Sequence, residues 1–132
     1  MEKTITYRIW FDDTTGIVRM QWTGYATSAQ FREGTRDMLR VLKEHSASAV
    51  LGDITDMVLI SQEDQQWLVE CFLPVAIESG FKSVALLKPH HYFNKVAVET
   101  VAYKVNQDLL SIRFFDDEAA ALEWLRSRLV KN

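Results

Sequence analysis

The sequence predicts a single α/β domain over residues 1–132, in the order β-β-α-β-α-β-α-β-α, with helices packed on a mainly parallel sheet that opens with an antiparallel hairpin. Three observations predict it. The first two segments alternate apolar and polar residues with the period of two that belongs to half-buried strands. After them, short apolar runs alternate with stretches of helical periodicity, which implies parallel strands joined by right-handed crossovers. The length of 132 residues at 48% hydrophobic content supplies one core and no room for a second.

In the first strand Ile5, Tyr7, Ile9 and Phe11 share one face, and Thr6, Arg8 and Trp10 share the other. Asp12-Asp13-Thr14-Thr15-Gly16 supplies turn chemistry, with Gly16 free to take positive φ. The second strand sets Val18, Met20 and Trp22 opposite Arg19 and Gln21, completing a hairpin. Thr27 and Gln30 have capping-box spacing, and Phe31, Met38, Leu39 and Leu42 recur at helical spacing, so a helix is expected over about residues 28–45. Ala49-Val50-Leu51 is a buried strand expected to end near Asp53, with Ile54 to Ile60 as connector. Ser61 is a good N-cap, followed by Glu63 and Asp64 where acidic side chains complement the helix dipole. Trp67, Leu68, Cys71, Phe72 and Val75 form the apolar stripe of that helix; Pro74 is expected to kink or shorten it, and Gly80 to end it.

Ser83 to Leu87 is the next buried strand, and Pro89-His90-His91 turns the chain. Phe93, Val96, Ala97, Thr100 and Val101 continue at helical spacing toward Lys104. Leu110, Ile112 and Phe114 give the last strand. Asp116 is the expected cap of the final helix, whose buried stripe is Leu122, Leu125 and Leu129, with Arg126, Arg128 and Lys131 near its C-terminus.

A net charge of -3 argues against a nucleic-acid binder, which needs a basic face. The single cysteine, Cys71, cannot form an internal disulfide, and its apolar neighbours predict a buried thiol. Met1-Glu2-Lys3-Thr4 lacks the apolar core of a secretory signal, and the longest uncharged apolar run near the middle of the chain, Cys71 to Ile77, is too short for a membrane span. A cytoplasmic protein is therefore expected. Gly-x-Ser-x-Gly, P-loop and Gly-x-Gly-x-x-Gly patterns are absent, which gives nucleophilic or dinucleotide chemistry no support.

Three stretches resemble the STAS and SpoIIAA-like domains, the group that contains the bacterial anti-sigma factor antagonists. Val50-Leu51-Gly52-Asp53-Ile54-Thr55 is similar to the family's strand-then-Asp element, and Phe81 to Leu87 to the strand after its second helix. Phe114 to Leu125 is similar to the closing strand, acidic cap and Ala-rich helix ending in Trp-Leu. The resemblance implies a SpoIIAA-like fold and a regulatory role through protein binding. Antagonists of the phospho-switch type carry Asp-Ser-Ser-Gly at the second helix start, where this chain has Ser61-Gln62-Glu63-Asp64. Glu63 falls at the phosphoacceptor position, so the resemblance does not extend to that switch. The architecture is also shared with CRAL-TRIO lipid-transfer domains, which brings an apolar ligand into consideration.

Ligands of open parallel sheets gather at the carboxyl ends of the strands. Those ends carry Asp53 with Thr55, Lys88 with His90 and His91, and Asp116 with Asp117. His90 or His91 with Asp53 has the composition of a metal or proton-transfer pair, yet a surface turn uses the same residues without chemistry, and no third ligand is suitably spaced. Ser61 is a cap or a modified cap. Trp10, on the less apolar face of its strand, lies beside Trp22 or across the edge from it and marks a contact surface or an isolated aromatic. The expectation is a non-enzymatic module, without cofactor or metal, that binds another protein such as a kinase or regulator; the alternative is a carrier or sensor of an apolar ligand. Because Arg8 is the only charge in the first strand before Asp12, the weakly protected hairpin edge also predicts a homodimer.

Overall fold

The computed structural model describes residues 6–129, so Ile5 and Lys131 lie outside the described residues. Five strands, β1 (Tyr7–Asp12), β2 (Ile17–Gly24), β3 (Ala49–Met57), β4 (Ser83–Leu87) and β5 (Ser111–Phe115), form one sheet in the order β1-β2-β3-β4-β5. The β1–β2 pair is antiparallel and the other pairs are parallel. The helices are α1 (Ser28–Glu44), α2 (Gln62–Trp67), α3 (Leu73–Glu78), α4 (Tyr92–Lys104) and α5 (Glu118–Leu129), with a π-helical turn, Leu68–Phe72, joining α2 to α3.

Parallel strands that follow chain order, joined by right-handed crossovers, place every crossover helix on one face. Met38 and Leu42 of α1, Phe72 and Ala76 of the middle helical segment and Val101 of α4 accordingly share one core with Val18, Val50 and Val84. α5 follows the last strand and occupies the other face, where Ala121 and Leu125 bury against Ile17, Leu51 and Ala85.

The capping box at Thr27 and Gln30 is present, and α1 spans the expected residues. Gly34 sits inside this helix because a Cβ there would lie 2.5 Å from the Trp22 ring, so only glycine lets α1 approach the sheet this closely. β3 continues past Asp53 to Met57, because β2 extends to Gly24 and pairs with it along that length. The register shifts by one residue between Gln21 and Thr23, and this bulge lets Ile54 and Met57, three residues apart, both reach the core.

Pro74 acts as expected, interrupting the helix. It offers no N–H to the preceding turn, and the chain passes through the π turn before α3. The extra residue rotates the following helix by about one position. Phe72, Leu73 and Ala76 therefore face the core, while Cys71 and Val75, expected in the buried stripe, are exposed. α4 departs from expectation in the same way: Asn94, Ala97, Val98 and Val101 are buried, while Phe93 and Val96 face solvent. Asn94 fixes this rotation. Its side-chain oxygen accepts the Ile60 N–H at 3.0 Å and its amide donates to the Met57 carbonyl at 3.3 Å.

The cap of α5 is Asp117, not Asp116: its carboxylate accepts the Ala120 N–H at 2.9 Å, while Asp116 pairs with Lys88 at 3.2 Å. Ala121 and Leu125 are fully buried, with Leu122 and Leu129 half-buried beside them. Leu125→Ala is expected to cost about 2–5 kcal/mol as a large-to-small core change, whereas Glu123→Ala on the exposed side should stay within about 0.5 kcal/mol. Urea unfolding midpoints of the two variants check this, and equal shifts would contradict the packing.

Candidate functional site

The carboxyl ends of the parallel strands bring Asp53 and Thr55 together. One Asp53 oxygen accepts both the Thr55 hydroxyl at 2.8 Å and its backbone N–H at 3.1 Å. His90 faces Asp56 instead of Asp53: its backbone N–H donates to the Thr55 carbonyl at 3.0 Å, and its Nδ1 lies 3.7 Å from the Asp56 carboxylate, with both side chains exposed. His91 is the exposed N-cap residue of α4 and makes no side-chain capping bond. Among the described residues, no group of three or more His, Cys, Asp or Glu side chains is placed to hold a metal.

Ser61 caps α2 by accepting the Asp64 N–H at 3.1 Å. Asp64 is buried, and its two oxygens accept Ser28 at 2.9 Å and the Arg32 Nε at 3.1 Å, locking α2 to α1. Arg32 also lies 3.4 Å from Glu63. The guanidinium groups of Arg32 and Arg36 lie 5.2 and 5.3 Å from the Trp67 ring centre. Ser61 thus belongs to a polar junction whose buried member is Asp64, a residue that the sequence marks only as a favourable first-turn acid.

Trp10 is 40% exposed, with Arg8 and Arg19 at 5.5 and 5.7 Å from its ring. It is not beside Trp22. Its register partner is Arg19, whereas Trp22 pairs with Tyr7 on the opposite face and is buried under α1. Arg19 is held by Asp12 and Glu118. Desolvation works to raise the Asp12 pKa, but hydrogen bonds from the Thr14–Thr15 turn and the Arg19 charge together outweigh it and hold the group below the ordinary carboxylate range. The stability linked to Asp12 is therefore present above the unfolded pKa and is lost as pH falls through the lower folded one.

Two further features bear on function: the first on the apolar-ligand alternative, whereas the second had no expectation attached. The first is an almost wholly apolar cavity of about 120 Å³ between the sheet and the helical layer, lined by Met20, Trp22, Ile54, Phe72, Val98 and Leu110 among others. The second is the outer side of α4, which exposes Tyr92, Phe93, Val96 and Tyr103; Phe93 is 74% and Tyr103 84% exposed. Its sequence signal is a helix with apolar residues on both sides, more than one buried face requires.

Asp64→Ala removes the acceptor shared by Ser28 and Arg32 and is expected to cost about 2–3 kcal/mol, the scale of hydrogen bonds to a charged group. Ser61→Ala removes only the cap and should cost about 1 kcal/mol. Denaturation of both variants checks the order; a larger loss at Ser61 would contradict it.

A family model described as SpoIIAA-like matches residues 17–126. Among solved structures, the chain is similar to an uncharacterized protein from the DUF3478 family with a SpoIIAA-like fold, from Shewanella loihica PV-4. The TM-score is 0.66 at 20% identity, over 95% of this chain and 98% of that one. At that identity the likeness is one of fold. No curated protein matches. Because the family model covers most of the chain, from the start of β2 into α5, this protein belongs to the SpoIIAA-like family.

Proposed function

We propose that this chain is a non-enzymatic, cytoplasmic SpoIIAA-like module that regulates by binding another protein, without the phosphoacceptor serine of the phospho-switch members. The observation that carries the reading is the outer side of α4. A helix apolar on both sides is ordinarily covered on both. Here Ala97, Val98 and Val101 enter the core, while Tyr92, Phe93, Val96 and Tyr103 meet solvent. Exposed aromatic clusters of this kind favour a contact surface, since aromatic side chains are enriched at the centres of protein interfaces. Lys95 and Lys104 flank the patch against a single acid, Glu99, which suits a partner with an apolar centre and acidic rim. Family resemblance favours a kinase or another regulator as that partner. No described helix is long and apolar enough to cross a membrane.

The experiment is quantitative affinity purification from native cells, comparing the wild type with Phe93→Ser and Trp10→Ala. A stoichiometric protein partner should be lost with Phe93→Ser and retained with Trp10→Ala. Phe93 is exposed, so its variant should keep wild-type stability within about 0.5 kcal/mol. A partner set indifferent to Phe93→Ser would overturn the reading.

The apolar cavity favours a second reading, a carrier or sensor of a small apolar ligand. Its roughly 120 Å³ is close to the 150 Å³ of an engineered apolar cavity that accepts benzene, and well below the 300 Å³ or more of ordinary ligand pockets. A single ring or short alkyl group fits it, and a lipid chain does not. Benzene at saturation should raise the unfolding temperature; an unchanged temperature removes this reading.

A further inference from the structure

The two edges of the sheet are finished differently. At β5, the Ile112 N–H is taken by the Gln107 side chain at 2.9 Å, which blunts the ladder. At β1, the register decides which backbone groups are free. The Thr23 N–H donates to the Thr6 carbonyl at 2.9 Å, making Thr6 and Thr23 a hydrogen-bonded pair. Such pairs alternate along an antiparallel ladder, so Arg8 and Trp10 bond to β2, while the N–H and C=O groups of Tyr7, Ile9 and Phe11 point outward. These outward groups meet no partner among the described residues. β1 carries no proline, and its one outward-facing charge between Tyr7 and Phe11 is Arg8, stacked on Trp10 of its own strand.

We propose that β1 pairs antiparallel with β1 of a second copy about a two-fold axis at Ile9, making a continuous ten-stranded sheet from two five-stranded ones. The outward-facing residues fix the register. Centred on Ile9, Tyr7 and Phe11 pair with Phe11 and Tyr7 of the partner subunit, and Ile9 pairs with Ile9 of the partner subunit. All three outward groups on each strand are then matched. On the α5 side, Arg8 falls opposite Trp10 of the partner subunit and Trp10 opposite Arg8 of the partner subunit. The cation–aromatic contact within each strand is thereby repeated across the axis. A register shifted by two residues, with the axis at Arg8 or Trp10, leaves one outward residue of each strand unmatched, and one with the axis at Tyr7 or Phe11 leaves two. The second copy is the occupant because a strand with this alternation of outward groups, Arg8 and Trp10 is complementary to itself. The proposal is independent of the reading of α4.

The test combines sedimentation, hydrogen exchange and a register-specific rescue. At about 100 μM, where a micromolar dissociation constant leaves little monomer, the wild type should sediment at twice its 15.3 kDa mass. The Ile9 and Phe11 amides should gain protection as concentration rises, while those of Arg8 and Trp10 are protected throughout by β2. Trp10→Arg sets like charges across the axis and should weaken the dimer roughly tenfold or more. Adding Arg8→Glu to Trp10→Arg should restore it, because the new carboxylate and guanidinium face each other. Trp10 and Arg8 are both exposed, and circular dichroism confirms that the variants fold. A monomeric wild type, a dimer with unprotected Ile9 and Phe11 amides, or a double variant no better than Trp10→Arg overturns the proposal.

Discussion

The constraint on which the structure depends is the uninterrupted order of its parallel strands. β2, β3, β4 and β5 are neighbours in space in the order in which the chain makes them. Each right-handed crossover must then return on the same side, so α1, the α2–α3 segment and α4 crowd one face while α5 has the other. The crowded face holds a deep core and the small apolar cavity. On the other face, α5 packs on β3, β4 and β5, and the hairpin side carries Arg8, Trp10, Arg19 and Gln21 beside it. Both surfaces with functional promise, α4 and β1, lie at the margins that this arrangement leaves uncovered.

Two buried polar residues fasten the crowded layer. Asp64 ties α2 to α1 through Ser28 and Arg32, and Asn94 ties α4 to the backbone at Met57 and Ile60. A buried amide with both ends bonded allows one helix rotation, since any other would leave polar groups unpaired at about 1–3 kcal/mol each. Asn94 therefore sets which side of α4 enters the core and, by exclusion, which aromatic residues remain outside. Gly34 plays the complementary steric part, letting α1 descend onto Trp22. The exposed aromatic surface of α4 follows from packing at Asn94, on the opposite side of the helix.

The carboxyl ends of the strands hold polar residues that satisfy one another. Asp53 is engaged by Thr55, Lys88 by Asp116, and the His90 ring lies near Asp56. At the second helix start, the hydroxyl of Ser61 is a cap, and Glu63 sits beside Arg32. Those residues build the framework, and the uncovered aromatic surfaces are where an added partner changes the most solvent contact.

The element order, the hairpin, the capping box at Thr27, the Ser61 cap and the break caused by Pro74 were all legible in the sequence, because each depends on residues within a few positions of one another. Helix rotation was not. Cys71 and Val75 fit an ideal helical stripe, but the π turn carried them outward; Phe93 and Val96 fit one too, but Asn94 claimed the buried side through bonds to residues more than thirty positions away. The length of β3 depended on how far β2 ran beside it, and the cap of α5 moved to Asp117 because Asp116 faced Lys88 across the strand end. Periodicity records which residues can share a face. Only tertiary contact decides which face is covered, because that choice is made by hydrogen bonds and close approaches between segments distant in sequence.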